Sequence, residues 1–130
     1  MAKSLNRVDL LGYLGGDVKI KEFPDRSSVG EVSVATDYSV QDGNGAWRER
    51  TEWHSVVIWG AAAAAAVLKK GARVHLTGRL RTRSWEKDGE RRYKTEVVCN
   101  ASDVIVAWLP GQGGDPNESA PEGGGRGASS

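Results

Sequence analysis

Four of the chain's five tryptophans, Trp47, Trp53, Trp59 and Trp85, stand in a stretch crowded with arginine and lysine. Flat rings offer a π face on which any base can stack, and cations track phosphates, so the combination suits unpaired nucleic acid. A duplex hides its base faces. Stacking of this kind tolerates sequence and contributes on the order of 1–3 kcal/mol per base. Trp47, Trp53 and Trp59 are all odd-numbered, and on an uninterrupted strand residues of equal parity share a face. At roughly 3.3 Å per residue, the six-residue spacing sets neighbouring rings about 20 Å apart, so the bases between them need other support. The opposite parity holds Val56 and Ile58, a better core pair, which turns Trp53 and Trp59 outward.

A second constellation runs over residues 73–85. Val74, Leu76, Gly78, Leu80 and Thr82 alternate with Arg73, His75, Thr77, Arg79, Arg81, Arg83 and Trp85. One face reads as core and the other as a cationic stripe, ending in a ring beside a hairpin tip. Glu49, Glu86 and Glu96 are available as salt partners for the stripe. Trp108, among Val104, Ile105 and Val106, reads instead as core or subunit contact.

Enzymatic readings fare badly. His54 and His75 are far apart, and neither accompanies a recognisable nucleophile or carboxylate pair. Cys99 lies in the apolar run 97–101, where a buried, inert thiol is expected. A single cysteine excludes an intramolecular disulfide and, with two histidines, leaves too few ligands for zinc. Gly12, Gly15 and Gly16 lack the Gly-Lys-Ser/Thr ending of a phosphate loop and read as a turn. No catalytic residue, metal or cofactor is expected.

The elements that position these residues are mostly short β-prone runs separated by turn residues: 5–14, 18–23, 29–40, 47–59, 73–85, 91–98 and 103–109. Asp88-Gly89 marks a hairpin turn. Between the fourth and fifth runs, six consecutive alanines, then Val67-Leu68, Lys69-Lys70 and Gly71, predict a short helix over 60–70 docked on the core. An all-β chain with one short helix and an extended β-hairpin fits a five-stranded Greek-key barrel of the OB type, with a β-sandwich as the structural alternative. Residues 1–109 form that domain. Residues 110–130, rich in Gly, Ser, Ala and Pro, read as a disordered tail.

The formal charge of +1 over 130 residues argues for no partner by itself. Its distribution says more: residues 1–110 hold 17 Lys and Arg against 14 Asp and Glu, while the remainder is mildly acidic. The N-terminus has no hydrophobic signal region, and the longest apolar run, 56–68, is shorter than the ~20 residues that span a bilayer. A soluble protein of a reducing cytoplasm, associated with the nucleoid, is expected.

Asn6-Arg7-Val8, Leu11-Gly12-Tyr13-Leu14-Gly15 with Asp17, Val34-Ala35-Thr36, Thr51-Glu52-Trp53-His54 leading to Val57-Ile58-Trp59-Gly60, Lys69-Lys70-Gly71, Gly78 through Trp85, and Tyr93-Lys94-Thr95-Glu96-Val97 occur in this order. Over about residues 4–109 the chain resembles bacterial-type single-stranded DNA-binding proteins. The resemblance implies an OB-fold subunit of a homotetramer that protects single-stranded DNA in replication, recombination and repair. By position it implies stacking roles for Trp53, Trp59 and Trp85, and basic positions near the DNA path at Arg7, Arg81 and Arg83. It also implies subunit assembly through the first strand, with Asn6 and Val8, and through His54.

Two departures stand out. A family tryptophan at the end of the third strand corresponds to Val40, with Tyr38 and Trp47 as candidate replacements. The family's acidic Pro-Phe tip, which recruits partner enzymes, has no counterpart in Arg126-Gly-Ala-Ser-Ser130. A shortened chain and a phage or plasmid form both fit. Two rivals share the stacking physics: an RNA-binding OB module, separable by 2′-OH contacts, and an accessory OB subunit whose aromatic face binds protein.

Overall fold

Alternating β-branched residues and turn punctuation produce seven strands in the computed structural model, which describes residues 3–111. They are β1 (Val8–Leu14), β2 (Lys19–Glu22), β3 (Ser28–Gln41), β4 (Trp47–Trp59), β5 (Arg73–Lys87), β6 (Glu90–Asn100) and β7 (Val104–Trp108). Five of them follow the order β1-β3-β4-β6-β5, and β5 returns to β1 to close a barrel. The β4–β6 junction is parallel, Val56 facing Val97 and Trp59 facing Asn100, and the other pairings are antiparallel. This is the expected Greek-key OB barrel. β2 flanks β3, and β7 lies along the first part of β5. Of the expected tail, only Pro110 and Gly111 fall within the described residues.

The core sits inside the barrel, where Val34, Val56, Ile58, Leu68, Val74 and Leu76 are almost wholly buried. All are even-numbered, so the parity argument selects the inward face on β3, β4 and β5 alike. Beyond the barrel, β3–β4 and β5–β6 continue as two hairpin arms exposed on both faces, and Leu80 is correspondingly half exposed. Asp88 and Gly89, both at positive φ (54° and 79°), make the turn of the second arm. At Gly12, where β1 crosses β3, any side chain would run into the carbonyl oxygen of Ala35.

The alanine segment turns out shorter than its propensity suggests. A 3-10 helix covers Ala61–Ala64 and gives way to turns. Most of the alanines bond within local turns, Ala63 N–H to Gly60 O (3.2 Å) and Ala65 N–H to Ala62 O (3.4 Å), while Ala62 and the residues after the run are tied to the rest of the barrel. Val18 N–H donates to Leu68 O (3.0 Å), Gly71 N–H to Leu14 O (2.9 Å), Ala62 N–H to Ser28 Oγ (3.1 Å) and Lys70 N–H to Asp17 Oδ1 (2.8 Å). Tertiary bonds to β1 and β3 therefore override local helix propensity. The small side chains matter for packing instead, because Ala61 fits directly over Gly30. No helix among the described residues is long and apolar enough to cross a membrane.

Candidate nucleic-acid interface

Directly paired residues on neighbouring strands share a face, so the register maps the outside of the barrel. On the β3–β4 ribbon Val29 faces Trp59, Ser33 faces Ser55, Ala35 faces Trp53 and Gln41 faces Trp47. The three odd-numbered rings therefore lie on one outer face, as their spacing predicts. Across the parallel junction and the β5–β6 hairpin the same face continues through Lys94, Glu96 and Val98 to Arg79, Arg81 and Arg83, and out to Trp85 opposite Arg92.

The four rings differ in how they are held. Trp53 is 59% exposed, and the edge of its ring lies so close over Gly15 that a side chain there would collide with it. Gly15, read from sequence as a turn residue, is thus also the seat of this indole. Trp59 is 41% exposed and stacked on Phe23, with centroids 6.5 Å apart and planes at 26°. Lys21 Nζ stands 5.5 Å from the Phe23 ring, so Lys21, Phe23 and Trp59 make one cation–aromatic stack. Trp85, 38% exposed, carries the Arg83 guanidinium 5.1 Å from its ring centroid. Trp47, 69% exposed at the arm's end, is the least supported. Tyr38 is exposed too, but it faces Arg50 on the opposite side of the ribbon. It does not join the other rings.

Between Trp53 and Trp59 the face is a trough. Val57 and Val98 are buried although they share the outward parity. Next to them opens a cavity of about 370 Å³ whose lining includes Ser33, Ser55, Lys94 and Glu96. This polar floor is the support that the 20 Å gap between rings calls for.

The cationic stripe proves to be three different things. Arg81 and Arg83 both bind Glu96, Nη2 at 2.9 Å and Nε at 3.1 Å from the same Oε1, while Lys94 Nζ stands 3.9 Å from Oε2. Glu96 is only 2% exposed. Burial alone would raise its carboxyl, but the hydrogen bonds and charges of Arg81 and Arg83 outweigh it and hold the group below the usual range. Arg79 is exposed and makes no hydrogen bond or ion pair with the described residues. Arg73 is half-buried with its guanidinium 5.8 Å from the Tyr13 ring centroid, on the β1–β5 side of the barrel.

The remaining candidates lie around β1. Arg7 Nε pairs with Asp9 at 3.1 Å. Asp9 also accepts from Thr77 Oγ1 at 2.6 Å, and that bond first, then Arg7, keeps its carboxyl below the usual range. The Asn6 carboxamide makes two bonds to the Leu80 backbone, donating to O at 2.8 Å and accepting from N–H at 2.9 Å, which fastens the segment before β1 to β5. Val8 packs against the core. His54 is half-buried and 2.8 Å from Thr36 Oγ1. Burial pushes the Cys99 thiol up to about 11, consistent with an inert group. No metal-binding cluster of His, Cys, Asp and Glu occurs among the described residues.

A closed five-stranded barrel with exposed rings and cations along one outer face belongs to the OB class, a fold that binds oligonucleotides on a strand face of the barrel. Residues 5–105 match the Single-strand binding protein family, and the chain belongs to that family, which is non-enzymatic and binds DNA. Single-stranded DNA-binding protein 1 of Chlorobaculum tepidum is 42% identical over 117 residues, 87% of this chain and 72% of that protein. Among solved structures, a Plasmodium falciparum SSB complex with ssDNA aligns with a TM-score of 0.72 at 28% identity, covering 84% of this chain and 98% of the other. A deletion mutant of the single-stranded DNA binding protein from Thermus aquaticus aligns at 0.69 and 31% identity, covering 87% and 54%.

Proposed function

We propose that the chain coats single-stranded DNA with little sequence preference during replication, recombination and repair. Bases stack on Trp53, Trp59 and Trp85, with Phe23 extending the Trp59 platform, and Arg79, Arg81, Arg83 and Lys94 meet phosphates. The observation that carries this reading is the exposure of these three tryptophans on one continuous outer face. Trp47 extends the site along the arm. Tyr38 and Arg50 form a separate contact on the ribbon's other side, and Arg7 and Arg73 lie at its margin. Four copies assemble through the first strand and His54. Residues 1–109 suffice for DNA binding, in a cytoplasmic, nucleoid-associated protein.

Adding oligo-dT is expected to quench tryptophan fluorescence strongly, and duplex of equal length much less, with an affinity that falls steeply as salt rises. Equal quenching by duplex would eliminate stacking as the mechanism. A matched RNA oligomer binding as tightly as DNA would reassign the ligand, and a strictly monomeric species in sedimentation would refute the assembly.

A further inference from the structure

Glu96 makes none of the contacts expected of a nucleic-acid ligand, yet it is the most buried charged side chain on the interface, 2% exposed at the floor of the trough. A carboxylate there opposes phosphate, so its presence calls for a role inside the protein. Its Oε1 accepts from Arg83 Nε at 3.1 Å and from Arg81 Nη2 at 2.9 Å. The bond to Nε fixes the plane and direction of the Arg83 guanidinium, and that guanidinium stands 5.1 Å from the Trp85 ring centroid. Trp85 stands on the β5–β6 arm, whose residues are exposed on both faces, and the ring itself is 38% exposed. The cation over the ring is a contact that orients it, while part of the ring's surface stays exposed for a base.

We propose that Glu96 is a positioning residue for DNA binding: through Arg83 it holds the Trp85 ring in the orientation that accepts a base. This rests on Trp85 being a stacking ring, and it makes Glu96 favourable to binding despite its charge. Simple electrostatics demands the opposite, since removing a negative charge from a phosphate-binding face should tighten binding. The sign of the effect therefore separates the two.

The experiment is a mutant cycle on oligo-dT affinity with Glu96→Gln, Trp85→Ala, the double variant and Arg83→Lys. Glu96→Gln is expected to weaken binding about two- to five-fold, the worth of a cation–π contact at an exposed site. The double variant should bind like Trp85→Ala alone, because both changes remove the same platform. Arg83→Lys keeps the charge but not the planar fork. It should lose affinity to the same degree with an unchanged salt slope, and it carries the test should Glu96→Gln fail to fold. Tighter binding by Glu96→Gln, additive losses in the double variant, or full affinity in Arg83→Lys would each overturn the proposal. If Trp85→Ala itself binds normally, the stacking role of Trp85 falls first and the relay with it. If Trp85→Ala weakens binding while Glu96→Gln does not, only the relay falls.

Discussion

Alanine at both Trp53 and Trp59 is expected to weaken oligo-dT binding by roughly 2–6 kcal/mol, two platforms at about 1–3 kcal/mol each. The rings stand on one face six residues apart on β4, about 20 Å at strand rise, too far to share a base. Their losses should therefore add, and the double variant should match the sum of the singles within about 0.5 kcal/mol. The slope of log affinity against log salt should stay unchanged, because rings release no counterions. This distinguishes lost stacking from a general loosening of the face, which would also disturb phosphate contacts and flatten the slope. Trp53 stands over Gly15 and Trp59 over Phe23, with about half of each ring residue exposed, so both changes also remove some packing. Urea denaturation of the variants separates that part. A double variant that folds and binds dT with full affinity would show that the bases stack elsewhere.

The strands and the outward set of rings were legible because both depend on parity, a property of one strand at a time. Val56 and Ile58 against Trp53 and Trp59 decided the faces of β4 before any partner strand was known. The Asp88-Gly89 turn was legible for a similar reason, since its positive φ values are a local demand. What escaped depends on register between strands. Arg81 and Arg83 read on their own strand as cations with Glu49, Glu86 and Glu96 all open to them as partners, and only the β5–β6 register, which sets Glu96 opposite Arg81, selects Glu96. Glu96 also opens a run, with Val97, Val98 and Cys99, that is buried on both faces, so alternation gives no clue to which side it takes. Phe23 was missed likewise. It follows Lys21 at the same parity, and Lys21 neighbours Val29, which neighbours Trp59. The stack emerges from two registers read together. Tyr38 was grouped with the rings as a candidate, and the β3–β4 register separates it from them. The alanine run misleads in another way, because its propensity is real but tertiary bonds at Ala62, Leu68, Lys70 and Gly71 hold the segment in short turns.

Removing both arginines, Arg81→Ala with Arg83→Ala, is expected to destabilise the fold at neutral pH by about 3 kcal/mol, the low end for breaking a buried pair from one side. The low end applies because the two arginines are a third to nearly half exposed and Lys94 stays within 3.9 Å of the carboxylate. The pH response carries the sharper test. In the native chain the Glu96 carboxyl titrates below its unfolded value. Its contribution is thus fully present above the unfolded pKa and is lost as pH falls through the folded one. Without the arginines the desolvation that now opposes ionisation is left dominant, and the folded pKa moves above the unfolded value. Ionised Glu96 then costs stability at neutral pH, and protonation relieves that cost as pH falls through the raised pKa. The gap between native and variant should accordingly narrow on acidification, measured by urea denaturation from neutral pH into the ordinary carboxylate range. Adding Glu96→Gln to the double variant should recover much of the loss at neutral pH and remove the pH dependence of the gap that arises from the variant. A gap that stays constant with pH, or a triple variant no more stable than the double, would mean that Arg81 and Arg83 support the fold through their aliphatic stems rather than through the buried charge.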